Sequence, residues 1–145
     1  MNIGSLGHVV VKVTDLERSE AFYNGVLGLP INAHFDQDGM KMTFFTLGNH
    51  HDFAISLVKG EGSPEEQSVG LDHVAFNIGT SLDELREAKT YLEAAGLKLN
   101  PVDHGVTQSL YFSDPDGNGV EVYVDTSDAW REDPQQVAQG SPLEL

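Results

Sequence analysis

His73 and Glu121 stand 48 residues apart, in Leu71-Asp-His-Val-Ala-Phe-Asn-Ile78 and Gly119-Val-Glu-Val-Tyr-Val124. Sixty-five residues before His73, Leu6-Gly-His-Val-Val-Val-Lys-Val13 repeats the first segment, with His8 in the matching third place. Two histidines and one carboxylate are the ligand types of a non-heme iron site that keeps open coordination positions. Any one histidine is most often a plain surface or core residue, but two at the same place in a repeat weaken that reading. Glu121 alternates with Val120, Val122 and Val124, so a strand here sets the carboxylate on the face opposite three valines. Burying a carboxylate without a partner is costly, and a metal ion is one partner that removes the cost.

The elements that must position these groups follow from pattern. Val9, Val11 and Val13 alternate with His8, Val10 and Lys12, a period-two strand. Thr14 or Asp15 caps a helix through Leu16, Ala21 and Phe22, ended by Gly25 and Gly28 before Pro30. Ile31–Phe35, Met40–Leu47 and Phe53–Val58 read as strands, with Asp36–Gly39 as a turn. Lys59–Ser68 is polar and carries glycine and proline, as a linker does. The order then recurs. Leu71–Ile78 is a strand, and Ser81 caps a helix with Leu82, Leu85, Ala88, Tyr91 and Leu92 on one stripe, closed by Gly96. Leu97–Val102, Gln108–Phe112 and Val120–Val124 complete the set, with Asp114–Gly117 as the turn before the last strand.

The expected architecture is α+β: one domain over residues 1–145, made of two βαβββ modules (5–60 and 69–125) and a tail (126–145). Each module alone has little core, so the two should pair, their strands curling as a mixed sheet around a shared, metal-binding cavity. Ser56 stands 48 residues after His8 and so takes the place of Glu121 in module one. In the tail, Trp130 anchors a short helix over Asp133–Ala138, and the last residues are expected to be loose.

The chain has no cysteine, which excludes disulfides, thiolate metal sites and cysteine nucleophiles. With 8 Lys and Arg against 23 Asp and Glu, its formal charge is −15. Such a surface repels phosphate backbones and anionic lipid, so neither nucleic acid nor membrane is an expected partner. Met1–Gly4 begins no signal peptide, and cytoplasm is the default location.

The repeat and its histidines resemble the vicinal oxygen chelate superfamily, whose fold is paired βαβββ modules. Its members include glyoxalase I, bleomycin-binding proteins, fosfomycin-resistance enzymes, epimerases and type I extradiol dioxygenases. The resemblance covers residues 5–125 and implies metal ligands at His8, His73 and Glu121. Glyoxalase I adds a second glutamate where Ser56 stands, which disfavours a four-ligand isomerase site. Bleomycin-type binders generally lack the metal residues. Fosfomycin-resistance enzymes need cations around a phosphonate, and only Lys89 and Lys98 lie between Arg86 and Arg131.

The stretch from His104 to Tyr123 is similar to the C-terminal signature of type I extradiol dioxygenases, with Tyr111 ten residues before Glu121. That likeness implies Fe(II), with Mn(II) as the alternative, and a small catechol-type aromatic and dioxygen as substrates. It makes His51 the acid/base group, while Tyr111 bonds a substrate oxygen and His104 lines the pocket. His50 is adjacent and could take the place of His51; the competing reading of the pair is a solvated turn after Gly48-Asn49. Strict alternation from Ser56 turns Ala54 and Asp52 to the cavity, so His51 must sit at the strand mouth or on a bulge. Phe44, Phe45, Phe53, Phe76 and the tail are the expected shapers of the pocket. The resemblance also suggests a homodimer or larger homo-oligomer. The alternatives are a metal-dependent isomerase, epimerase or thiol transferase, and a non-catalytic small-molecule binder of the same fold.

Overall fold

The computed structural model describes residues 4–60 and 69–145; most of the expected linker, residues 61–68, lies outside the described residues. The chain divides into two compact units, residues 1–68 with 114–118, and residues 69–113 with 119–145.

In the first unit β1 (Val9–Val13) leads into Asp15, whose carboxylate caps α1 (Leu16–Glu20) by accepting from the Arg18 N–H. The helical path widens into a π-type turn over Ala21–Val26, and Gly28, at φ 75°, turns the chain out of it. β2 (Ile31–Gln37), β3 (Met40–Phe45) and β4 (Phe53–Leu57) complete a sheet of order β1-β4-β3-β2. β1 and β4 are parallel, and the other neighbours antiparallel. Tyr23, Phe45, Phe53 and Ile55 are fully buried there. Tyr23 stacks against Phe53 at 4.7 Å and donates its hydroxyl to Asp114 at 2.9 Å. Phe45 and Phe53 are therefore core residues and not pocket walls, contrary to the sequence expectation: Tyr23 claims both.

The second unit repeats the plan. β5 (His73–Gly79), α2 (Leu82–Ala94), β6 (Asn100–Asp103), β7 (Thr107–Ser113) and β8 (Gly119–Asp125) form a sheet of order β5-β8-β7-β6, extended at its edge by β9 (Ser141–Pro142). Ser81 and Glu84 close a full capping box on α2. α2 packs on β5, β7 and β8, and Leu85, Leu92, Leu110, Val120, Val122 and Val124 are buried. The fold is thus α+β with two mixed sheets of matching strand order, one from each repeat.

Two sequence expectations change. The tail does not end loose, because β9 pairs with β6 through Val102–Pro142 and Asp103–Ser141. The register also corrects the internal alignment. Glu121 lies opposite Ala75, two residues after His73; the residue opposite Val10, two after His8, is Ala54. Ala54, and not Ser56, holds the place of Glu121. The displacement is two residues, so both stay on the same strand face. The absence of a second carboxylate at that place stands. No helix of the described residues is long and apolar enough to cross a membrane.

Gly119 pairs with His73 across the parallel strands. A Cβ at Gly119 would meet the Asp72 carbonyl oxygen at 2.3 Å and the His73 Cβ at 3.0 Å. Since the obstacle is backbone, Gly119→Ala should cost about 1–3 kcal/mol, read as a lower urea midpoint; an unchanged midpoint would contradict this packing.

Candidate metal centre

β8 carries the central group. Its valines face the core and turn Glu121 to the opposite face, where the carboxylate is only 7% exposed. Ser109, on neighbouring β7, donates its hydroxyl to Glu121 Oε1 at 2.5 Å. His73 Nε2 lies 3.1 Å from Glu121 Oε2. The other ring nitrogen, Nδ1, meets the Asp72 carboxylate at 2.6 Å. Nδ1 faces an acceptor and so carries a proton; where the ring holds only that one, the Nε2 lone pair points at the Glu121 carboxylate. Two acceptors side by side need a cation between them or a protonated ring. With bonds of about 2.1 Å in octahedral geometry, adjacent donor atoms lie roughly 3 Å apart. The Nε2–Oε2 pair fits a divalent ion on that spacing.

Tyr111 is directly opposite Glu121 in the β7–β8 ladder, and its ring meets that of His73 edge to face at 5.3 Å. Burial first, then the adjacent Glu121 carboxylate, push the Tyr111 phenol up to about 12, against a smaller downward pull from Ser109. Tyr111 therefore remains a proton donor across the neutral range. Its hydroxyl is 2.9 Å from His104 Nε2, and His104 Nδ1 is 2.6 Å from the Gln139 carbonyl oxygen. A carbonyl only accepts, so Nδ1–H is the donor, and Nε2 of the neutral ring accepts from Tyr111.

Four of the six expected site residues, His73, Glu121, Tyr111 and His104, thus form one connected group in the second unit. His8 and His51 belong to the first unit, where with His50 they form a cluster whose donor atoms all lie within 4.8 Å of one another. His8 directly precedes β1, and its ring lies 4.2 Å from that of His51. His51 sits at the mouth of β4, as alternation required, on a turn built by Asp52. The Asp52 carboxylate accepts from the N–H groups of Leu47 at 2.6 Å and Asn49 at 3.3 Å. Thr46 adds a bond to the Asn49 carbonyl at 2.6 Å. Loss of water contact, then the His8 and His50 imidazoles, hold His51 below the ordinary histidine value, with Asp52 opposing. His50 Nδ1 is taken up by the Asn49 side-chain oxygen at 2.9 Å.

The sequence reading had no place for Asp72, Ser109 as a Glu121 donor, or the Gln139 carbonyl. Asp72 carries a legible signal, a carboxylate next to the repeated histidine. The Gln139 carbonyl is backbone and carries none. The Glu121 face opens on a cavity of about 510 Å³, which Ala75, Tyr123, Val106, Trp130 and Val137 also line.

Residues 5–122 match the family model described as the Glyoxalase/Bleomycin resistance protein/Dioxygenase superfamily. The chain belongs to that superfamily. Among its relatives is biphenyl-2,3-diol 1,2-dioxygenase 3 of Rhodococcus globerulus, 39% identical over 124 residues, which are 83% of this chain and 63% of the relative. The chain thus spans less than two thirds of that enzyme's length. Metallothiol transferase FosB of Lysinibacillus sphaericus is 28% identical over 133 residues, covering 87% of this chain and 86% of the transferase. Among solved structures, a glyoxylase/bleomycin resistance protein/dioxygenase domain from Frankia sp. EAN1pec superposes with a TM-score of 0.73 at 22% identity, over 86% of this chain and 99% of that one. That last likeness concerns the fold alone.

The tautomer of His104 is open to direct measurement. In nitrogen-15 spectra of the imidazole at neutral pH, a neutral His104 should show Nδ1 protonated; a protonated Nε2 with bare Nδ1 would contradict the contact with Gln139.

Proposed function

We propose that this protein is an extradiol ring-cleaving dioxygenase that acts on a catechol-type aromatic with dioxygen. The observation that carries the reading is the joining of His73, Glu121, Tyr111 and His104 in one connected polar group, with Glu121 lining a cavity. In this reading the metal ligands are His8, His73 and Glu121. Fe(II) is the expected ion and Mn(II) the alternative, since both accept nitrogen and oxygen ligands. When bound, the ion would supply a docking point for the two vicinal catechol oxygens and for dioxygen, and lower the first hydroxyl pKa.

The chain's own residues do the remaining work. His51, held toward its neutral form, takes the second hydroxyl proton and later returns it. Tyr111, protonated throughout, would turn its single O–H from His104 Nε2 to a substrate oxygen when substrate binds. Until then His104 Nε2 holds the Tyr111 hydroxyl in place. Asp72 orients His73, and Ser109 holds one oxygen of Glu121. The overall reaction adds both atoms of dioxygen to the catechol as one ring carbon–carbon bond breaks, so the product is the sum of the two substrates and no further reductant is needed.

A second reading has one observation in its favour, the transferase relative matched over most of its length. A thiol transferase, isomerase or epimerase would work with Ni(II), Zn(II) or Mg(II) and consume no oxygen. Against a phosphonate substrate stands the cavity lining, where Asp125 joins Glu121 and no Lys or Arg contributes. The homo-oligomeric state belongs to the proposal and is read by sedimentation.

Protein loaded with Fe(II) under anaerobic conditions should take up oxygen with a panel of catechols and form a yellow ring-fission product. No uptake across the panel, with turnover by another metal, would transfer the assignment to the second reading. His73→Ala should lose bound iron as well as activity. His51→Gln should keep its iron and lower kcat by about 10²–10⁴-fold, the usual range for a general base; an unchanged kcat removes His51 from the role.

A further inference from the structure

We propose that the cavity floored by Glu121 contains a distal subsite, walled by Trp130 and Val137 of the tail, that takes a neutral apolar substituent on the substrate ring. This rests on the reading of the Glu121 end as the reacting end. The argument begins with space. A dry cavity of about 150 Å³ accepts benzene, and this one holds about 510 Å³, which leaves room beyond a single ring.

Direction follows from the strand. Glu121, Tyr123 and Asp125 share one face of β8, and all three line the cavity. At about 3.4 Å per residue, Asp125 stands roughly 14 Å along the strand from Glu121. Trp130 and Val137 line the cavity from the tail. Both are large apolar side chains left 38% and 57% exposed, so they hold apolar surface that a ligand would cover.

The tail is held well enough to serve as a wall. At its start the Thr126 and Ser127 N–H groups both donate to the Val106 carbonyl, at 2.9 and 3.2 Å. Near its end β9 pairs with β6, and the Leu143 N–H reaches the Pro101 carbonyl at 3.3 Å. Between them Asp133 caps a 3-10 turn over Pro134–Val137.

Charge then selects the substituent. The charged group lining this end is Asp125, which accepts from the Asn77 side chain at 2.8 Å. Arg131 lies over the Trp130 ring at 4.6 Å with its Nε already donating to Asp128 at 3.2 Å. A carboxylate on the substrate would face Asp125 with no free cation in the lining, whereas an alkyl or aryl group would meet Trp130 and Val137.

Trp130 is the chain's single tryptophan, so its fluorescence reports this subsite alone. In oxygen-free buffer the protein is titrated with 4-isopropylcatechol, with catechol and with 3,4-dihydroxybenzoate, following affinity and the protection of Trp130 from acrylamide quenching. The isopropyl compound should protect Trp130 and bind at least about tenfold tighter than the carboxylate, as one apolar group in a fitted pocket can provide. Val137→Asp, at a half-open position, should remove that preference. Equal affinities in the wild type, tighter binding of the carboxylate, or a preference untouched by Val137→Asp would each overturn the subsite. Trp130 protection without oxygen uptake by any catechol would sink the ring-cleavage reading and leave the subsite standing. Oxygen uptake without Trp130 protection would do the reverse.

Discussion

The second unit is organised around one constraint, a carboxylate that is almost wholly removed from water. Glu121 must keep its oxygens satisfied: the Ser109 hydroxyl donates to one, the other lies beside the His73 ring nitrogen where a shared cation would sit, and Tyr111 stands directly across the ladder. Its position also depends on what lies behind it. Val120, Val122 and Val124 commit the other face of β8 to the core beneath α2, so a slip of one residue would bury the valines' face in the cavity and turn Glu121 into the helix interface. The apolar core and the polar site are therefore two sides of a single register.

The two modules share a topology and divide the chemistry. Where the second module has Tyr111 opposite Glu121, the first has Phe44 opposite Ala54. The first sheet is accordingly plain at that place, and His8, His50 and His51 gather at strand ends, the last two on a turn that Asp52 holds together. Duplicated folds tolerate this asymmetry because strand order and core spacing do not require both copies to keep the same polar groups. A single carboxylate leaves more of an ion's coordination sphere to substrates than a pair would, which suits chemistry in which two substrates must meet.

Most of the order of elements along the chain was legible because period-two patterning and a 65-residue repeat state it twice. The cap at Ser81 was readable from residue type, and the first helix's cap to within one position, Thr14 or Asp15. The Ser56 alignment failed by two positions because equal sequence spacing does not reveal how strands pair; the ladder does. Phe45 and Phe53 were misassigned for a related reason. Residue type marks an aromatic as apolar, and only packing shows that Tyr23 takes both. The tail was least legible, since its order comes from pairing β9 with an edge strand about 40 residues away in sequence and from backbone carbonyls.

The contact between His104 and the Gln139 carbonyl has a consequence for how such chains can diverge. The acceptor is main chain, so any amino acid at position 139 supplies it, and drift in side-chain identity there leaves this contact in place. A one-residue insertion or deletion between Val137 and β9 would move that carbonyl by a full peptide unit and release the ring. Tail length, and not tail composition, is thus the inherited quantity, and two chains with unrelated tail sequences could share this arrangement while near-identical ones differing by a single gap would not.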